Sequence, residues 1–400
     1  MTSSIFSSVE MAPRDPILGL TEAFNADPRP TKVNLGVGVY FDENGKIPLL
    51  NAVKIAEKKR VETAPARGYQ PIDGLPAYNK AVQVMLFGEG SQILSEGRVV
   101  TVESLGGTGA LKVGADYLKR LLPNTTVYIS DPSWENHRGV FENAGLTVDV
   151  YPYYDEPTHG VNFDAMKAKF NALPADSVVV LHACCHNPTG ADLTETQWAE
   201  IIGIIRERKL VAFIDMAYQG FAESIAKDAV ALKLFVESGV QFFVATSYSK
   251  SFSMYGERVG ALSVITSSKD ESARVLSQIK RIVRTNYSNP PTHGGAIVAA
   301  VLSDVELRAM WEQELAGMRD RIRTMRHSLA EKLKAVGTSQ DFSFVTKQRG
   351  MFSYTGLSAE QVARMQSEFG VYAVSTGRIC VAALNTKNID YVVDAIAAVL

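Results

Sequence analysis

The order of apolar runs after residue 98 constrains this chain more than any other feature in it. Short apolar stretches at residues 99–102, 127–130, 148–151, 178–182, 211–215 and 242–246 read as buried strands. Helical patterns at 111–122, 136–143, 163–172, 195–208 and 230–237 separate most of them. Parallel strands need a long crossover between them, and a helix is the usual one. The alternation therefore predicts an α/β fold, a mostly parallel sheet sandwiched by helices on both faces. On such sheets ligands bind outside the carboxyl ends of the strands, so the residues just after each run are where chemistry is expected.

The connection after the run 242–246 is Ser247-Tyr248-Ser249-Lys250-Ser251-Phe252-Ser253-Met254-Tyr255-Gly256-Glu257-Arg258-Val259-Gly260, followed by a further apolar run at 261–266. A lysine desolvated here and crowded by a cation would favour its neutral amine, the form that makes a Schiff base. Ser247 and Arg258 offer a hydroxyl and a planar fork, suited to a phosphate beside that amine. After the run 99–102 comes Gly106-Gly107-Thr108-Gly109-Ala110, directly before a helix. Exposed backbone N–H groups, a hydroxyl and a helix N-terminus together suit an anion. Taken alone, a Gly-rich strand-to-helix turn with a Thr cap is common, and this one is not the dinucleotide glycine pattern.

Other strand ends carry single polar residues. Asp215 ends the run 211–215 and is followed by Met216-Ala217-Tyr218. Such a carboxylate is either a strand-end cap or, if buried, a group that must be paired; facing a pyridine nitrogen it would keep that nitrogen protonated. Tyr218 either packs at the strand end or bonds a ring hydroxyl. Asp131-Pro132-Ser133-Trp134-Glu135-Asn136-His137 follows the run 127–130. Its flat indole either fills the core or stacks on a ring, and His137 is placed to orient a carboxylate such as Asp215. Arg378, at the start of an apolar run near the C-terminus, is either a solvated strand-end residue or a fixed fork for a carboxylate. The run His182-Ala183-Cys184-Cys185-His186-Asn187-Pro188-Thr189-Gly190 puts four soft ligands in five residues, yet spacing this close rarely closes a tetrahedron around one ion. No metal is expected there.

Elsewhere the chain is less regular. Prolines punctuate residues 1–31, with a short helix expected at 17–25 and packing against a partner subunit as a reasonable means of ordering. Residues 34–40 alternate small and apolar side chains; Gly36 and Gly38 there serve either a tight bend or a close backbone approach to a ligand. Helices are expected at 49–64, 75–86 and 304–336, the last with a bend at Gly317, and short strands at 350–354 and 379–382. Composition excludes several function classes. A formal net charge of −2 over 400 residues gives no basic excess to recruit nucleic acid or anionic membrane. Residues 1–10 lack the pattern of a signal peptide, and no apolar run reaches membrane-spanning length. Three cysteines without a Cys-x-x-Cys pair point to a reduced, cytoplasmic protein.

Together these segments resemble the class I pyridoxal-phosphate-dependent aminotransferases, in particular the aspartate and aromatic amino-acid subgroup, essentially from residue 16 to the C-terminus. The resemblance implies a homodimer with shared active sites and pyridoxal 5'-phosphate as cofactor. It implies an arm at residues 1–12, a small domain made of 13–46 and 318–400, and a large cofactor-binding domain at 47–317. By the same likeness Lys250 would hold the cofactor as a Schiff base and later carry the proton. Asp215 would pair with the pyridine nitrogen, supported by His137, while Asn187 and Tyr218 would bind the ring oxygen and Trp134 would stack on the ring. Gly107, Thr108, Ser247 and Arg258 would hold the phosphate, joined by Tyr69 from the second subunit. Arg378, with Asn187, Trp134 and the Gly38 backbone, would take the substrate α-carboxylate, and Arg284 would reach the neighbour's site to bind a side-chain carboxylate.

Substrate choice is expected to turn on Phe41 and Ile47, which lie near the substrate in this subgroup. Aspartate-directed members tend to be polar at these positions and aromatic-directed members apolar; here both are apolar. The expectation is transamination between phenylalanine, tyrosine or aspartate and 2-oxoglutarate, in ping-pong fashion through pyridoxal and pyridoxamine phosphate, with a plain aspartate aminotransferase as the alternative. A pyridoxal-dependent lyase on the same fold and a non-catalytic ligand sensor are the other classes. The sensor would need an appended DNA-binding unit, for which no spare segment is expected.

Overall fold

The computed structural model describes residues 4–13 and 17–400, apart from the Leu18 side chain. Residues 1–3 of the expected arm, and Pro16, lie outside the described residues. The seven strands of the main sheet are, in chain order, β1 (Val99–Leu105), β2 (Thr126–Asp131), β3 (Thr147–Pro152), β4 (Val178–His182), β5 (Val211–Met216), β6 (Phe242–Ser247) and β7 (Val259–Ile265). In space they run β1-β7-β6-β5-β4-β2-β3. Every pairing is parallel except the two made by β7, which lies antiparallel to both β6 and β1. The reason is the connection at residues 248–258, which holds only a short 3-10 turn and is too short for a parallel crossover.

Side chains alternate across the sheet, so adjacent residues enter opposite cores. Val180, Phe213 and Phe243 pack on one face with Val100, Val102 and Leu118. Leu181, Ile214 and Val244 pack on the other with Trp198, Phe235 and Trp311. The helices include α1 (Pro76–Phe87), α2 (Gly106–Leu121), α3 (Lys269–Asn286), α4 (Thr292–Ser303) and α5 (Val305–Ala335).

Several boundaries differ from expectation. β1 continues to Leu105, and α2 starts at Gly106 rather than at residue 111. The glycines are thus the first turn of the helix and not a loop before it. Gly106 sits at φ +69°, and a Cβ there would stand 2.5 Å from Arg258 Nη2, so only glycine fits. The expected bend at Gly317 is absent: α5 runs through it unbroken for 31 residues. Gly317 is exposed, and its cost of about 1 kcal/mol is offset by the burial of Trp311, Leu315, Met318 and Ile322 on the same helix.

The N-terminal and C-terminal segments pack together. Val33–Asn34 pairs in parallel with Val371–Tyr372, and Phe352–Tyr354 pairs antiparallel with Arg378–Cys380. Residues 34–40 are irregular beyond Asn34, and the strand expected at 379–382 stops at Cys380, where a 3-10 turn begins. The expected helix at 17–25 is Leu18–Ala26. Among the described residues no helix is long and apolar enough to cross a membrane.

Candidate active site

Parallel strands end on one edge, so residues far apart in sequence meet there. Gly38, Gly107, Thr108, Trp134, Asn187, Asp215, Tyr218, Ser247, Lys250, Arg258 and Arg378 line one cavity of about 260 Å³. His137 stands behind it, fully buried and bonded to Asp215.

Asp215 is the negative pole of this cavity. Burial pushes its carboxyl up, but the hydrogen bond from His137 and the Lys250 charge outweigh that and hold it below the usual carboxylate range. An ionised carboxylate can only accept, so His137 Nε2–H donates to Asp215 Oδ2 at 2.8 Å, and the other ring nitrogen, Nδ1, bonds the Ser133 hydroxyl at 2.9 Å. The chain Ser133–His137–Asp215 fixes the carboxylate and aims its other oxygen at the cavity. His182 lies beside it with Nδ1 buried and unpartnered, and burial holds its pKa down to about 3, so it is neutral.

Lys250 lies opposite, partly buried, with Nζ 5.0 Å above the Tyr218 ring. Burial lowers its pKa to about 8; the Asp215 charge opposes this, and Arg258 adds to it. About a tenth of the amine is therefore neutral at pH 7, far more than for a lysine of ordinary pKa. Beyond the lysine, Thr108, Ser247 and Ser249 converge with Arg258 at the N-terminus of α2. Arg258 Nη1 donates to Ser249 Oγ at 3.3 Å and to Tyr255 O at 3.0 Å, and among the described residues no carboxylate pairs with it. Hydroxyls, helix dipole and an uncompensated guanidinium make a site for a dianion.

Arg378 forms a second anion site. Its side chain is 1 % exposed, with Nη1 donating to Asn187 Oδ1 at 3.0 Å and Nη2 to Gly36 O at 2.8 Å. The guanidinium lies 4.3 Å from the Phe352 ring, its nearest carboxylate is Glu135 at 4.0 Å, and Nε is buried without a partner. A buried cation so weakly compensated calls for an anion from outside the chain. The two glycines near it have packing reasons. A Cβ on Gly36 would stand 2.2 Å from Leu20 Cδ2, and one on Gly38 2.7 Å from Phe352 Cζ.

The remaining expected residues lie outside this cavity. Phe41 is half-buried against the core, Ile47 is exposed, Tyr69 is 95 % exposed and Arg284 is exposed with Nη1 donating to Ser288 Oγ. Conversely, Ile17, His182, Ser249, Tyr255 and Phe352 line the cavity without having been singled out for it. Tyr255 belongs to the lysine segment, and its hydroxyl accepts from Tyr40 N–H at 2.9 Å. Ile17 and Phe352 carry no local signal, being apolar residues in apolar surroundings. The run around His182 shows why its soft ligands do not converge. Both His186 nitrogens bond hydroxyls, of Ser130 at 2.9 Å and Thr189 at 2.8 Å. Burial pushes the Cys185 thiol up to about 11, away from the thiolate a metal needs. His137, His182 and Asp215 do bring ligand atoms within 4.8 Å of one another, but His137 already serves the carboxylate as donor.

The site's chemistry suits a planar ring with a basic nitrogen, a carbonyl and a phosphate. Asp215 offers a carboxylate for such a nitrogen, Lys250 an amine for the carbonyl, the α2 cradle donors for the phosphate, and Arg378 a fork for a carboxylate. Comparison with known proteins agrees. The family described as aminotransferase class I and II matches residues 30–396. An aspartate aminotransferase of Pseudomonas aeruginosa is 62% identical over 397 residues, 99% of this chain and 100% of that protein. The aromatic-amino-acid aminotransferase of Escherichia coli is 49% identical over 398 residues, again 99% and 100% of the two chains. A crystal structure of the aromatic-amino-acid aminotransferase of Burkholderia pseudomallei, covalently bound to pyridoxal phosphate, superposes with a TM-score of 0.98 at 65% identity and covers all of both chains. This chain belongs to the class I and II aminotransferase family.

Proposed function

We propose that the chain transfers an amino group between phenylalanine, tyrosine or aspartate and 2-oxoglutarate, with pyridoxal 5'-phosphate as cofactor. The observation that carries this reading is the Lys250 amine, weakened to about pKa 8, set between an ionised Asp215 and an anion cradle. When bound, pyridoxal phosphate supplies the aldehyde that takes the amino group and the ring that accepts the electron pair released at the substrate α-carbon. The residues do the rest. Gly107, Thr108, Ser247 and Arg258 hold the phosphate. Asp215, fixed by His137, keeps the ring nitrogen protonated. Asn187 and Tyr218 orient the ring oxygen, and Trp134 stacks on the ring. Arg378 grips the substrate α-carboxylate, with Asn187, Trp134 and the Gly38 backbone beside it, and thereby aims the α-hydrogen. Lys250 Nζ is the amine that would hold the aldehyde, and it is the group placed to accept the α-proton and return it.

A homodimer completes the site in this reading. Tyr69 and Arg284 are exposed on one chain and would serve the partner's phosphate and substrate side chain. Ile5, Phe6, Val9 and Met11 are 71–96 % exposed, an apolar arm that a second subunit would cover. The division into residues 1–12, 13–46 with 318–400, and 47–317 belongs to the same proposal, as does a cytoplasmic location.

By the sequence likeness the apolar Phe41 and Ile47 favour ring substrates, although neither lines the cavity of the single chain. The name of the 62% identical Pseudomonas relative favours the second reading, an aspartate aminotransferase with little aromatic activity. A panel of amino and oxo acids separates the two. Arg284→Leu removes a charge-assisted hydrogen bond contributing roughly 1.5–3 kcal/mol, so kcat/KM for aspartate and glutamate should fall by about ten- to a hundredfold, with phenylalanine and tyrosine nearly unchanged. Arg378→Lys keeps the charge but loses the fork and should weaken substrates of every side chain. Equal losses for acidic and aromatic substrates in Arg284→Leu would sink its assigned role. Negligible wild-type activity on phenylalanine and tyrosine would leave the aspartate enzyme standing.

A further inference from the structure

Arg326 is a buried cation that the reaction as read above does not use. It lies on α5 and is 2 % exposed. Among the described residues no carboxylate pairs with it, and its guanidinium bonds one short stretch of chain instead. Nη1 donates to Val345 O at 3.4 Å and to Ser353 Oγ; Nη2 donates to Gly350 O at 2.7 Å and to Phe352 O. An apolar residue would fill the same space without burying a charge, and a lysine would present a point charge in place of a plane of donors. What the planar fork adds is a simultaneous hold on several acceptors.

The carbonyls of Gly350 and Phe352 bracket Met351 and Phe352, and Phe352 is where this stretch meets the active site. Its backbone pairs with Cys380 on the strand Arg378–Cys380. Its ring lines the cavity and is almost fully buried. Other cavity residues pack around that ring. The Arg378 guanidinium lies 4.3 Å from its centre, and the Tyr218 ring meets it edge-on at 6.1 Å between centres. Gly38 comes so close that a Cβ there would stand 2.7 Å from Phe352 Cζ. On its other side the stretch rests on the loop that carries Asn187: Arg349 N–H donates to Gly190 O at 2.8 Å, and Asn187 Oδ1 accepts from Arg378. Two hydrogen bonds hold the Arg378 fork, and the Phe352 ring is the surface it lies on. A shift of the backbone at Met351 and Phe352 therefore moves that surface.

We propose that Arg326 is a positioning residue for substrate binding: by fixing the backbone around Phe352 it holds the ring against Arg378 and so sets the direction of the fork. The inference rests on the reading that Arg378 takes the substrate α-carboxylate. A bidentate bond needs both donors in line with both oxygens, so a turned fork binds less well. The loss falls on the carboxylate common to every substrate, in ground state and transition state alike, so it enters KM and spares kcat. The proposed phosphate cradle contains none of these residues, so cofactor affinity should not change.

Arg326→Lys keeps the charge and removes the planar fork. In the pyridoxal-phosphate-loaded protein it should raise KM for aspartate, phenylalanine and 2-oxoglutarate alike by about tenfold, with kcat within about twofold of wild type. Half-reactions followed spectroscopically read slow amino acids as well. Equilibrium binding of glutarate, the skeleton of 2-oxoglutarate without its carbonyl, gives a readout independent of turnover: its Kd should rise by a similar factor while that of pyridoxal phosphate stays the same. A double-mutant cycle with Phe352→Leu tests the route, since Arg326→Lys added to Phe352→Leu should raise KM further by less than about twofold. A larger further rise overturns action through the ring, and with it the proposal. Unchanged KM and glutarate affinity in a folded Arg326→Lys overturn it too, even where the melting temperature falls, because a structural role alone gives that pattern. Should Arg326→Lys not fold, Ser353→Ala decides, since it removes one acceptor beside Phe352 and leaves the guanidinium in place: KM for the same substrates should rise severalfold, and an unchanged KM overturns the proposal. Arg378→Lys separates the two claims. If it weakens every substrate while Arg326→Lys weakens none, the α-carboxylate reading stands and the positioning role fails. If Arg378→Lys leaves glutarate affinity and every KM unchanged, the α-carboxylate reading fails and the positioning role falls with it.

Discussion

Lys250→Ala should leave a protein that folds and binds pyridoxal phosphate yet turns over at least about 10⁴-fold more slowly, since both the nucleophile and the proton carrier are gone. Cofactor binding should survive because the proposed phosphate cradle, Thr108, Ser247, Ser249 and Arg258, does not include the amine. The wild-type protein should be yellow, and borohydride reduction should fix the cofactor to Lys250 alone. Peptide mapping of the reduced protein checks this, and an adduct on another lysine would end the reading. The lowered pKa of the amine makes the selectivity intelligible. Burial holds the Lys250 amine near pKa 8, which leaves part of it neutral and nucleophilic.

Asp215→Ala should lower kcat by about 10²–10³-fold or more, the usual loss when a preorganised charge is removed from a dry site. Its signature is the step affected. Without the carboxylate the ring nitrogen loses its proton, so release of the α-proton becomes slower and an α-deuterated amino acid should show a larger isotope effect. Saturating cofactor should not restore turnover; full restoration would show that Asp215 serves binding only. The substitution also leaves His137 and His182 buried beside no negative charge. Asp215 is held below its ordinary pKa, so its contribution to stability is present above that ordinary value and lost as pH falls through the folded one. Wild type and Asp215→Ala should therefore converge in stability toward acid, as thermal melts across that range would show.

Much of this architecture is legible in the sequence. The strand–helix alternation gives the parallel sheet, because burial on both faces leaves continuous apolar runs and each crossover needs a helix. Strand ends give Asp215, Trp134, Asn187 and Ser247, because residues leaving parallel strands share an edge. The direction of β7 is not legible in its composition, since Val259–Ile265 is as apolar as its parallel neighbours. Gly106 misleads in the other direction: its type signals a break, but its neighbour Arg258 is what requires it.

What the sequence determined by itself is the set of elements and the chemical types at their ends, since periodicity and residue type are local properties of a chain. Only the tertiary structure decided which of those groups meet. Arg378 and Asn187 are 191 positions apart and bond at 3.0 Å. His137 and Asp215 are 78 apart and bond at 2.8 Å. Glu103, ordinary in its strand, becomes a dry carboxyl because Gly74 and Gly295 close over it. Tyr69 and Arg284 stay at the surface for the same reason in reverse, with no core element reaching over them. Desolvation and charge pairing depend on the packing of every neighbour at once, so the shifts at Lys250, Asp215 and Glu103 exist only in the folded chain.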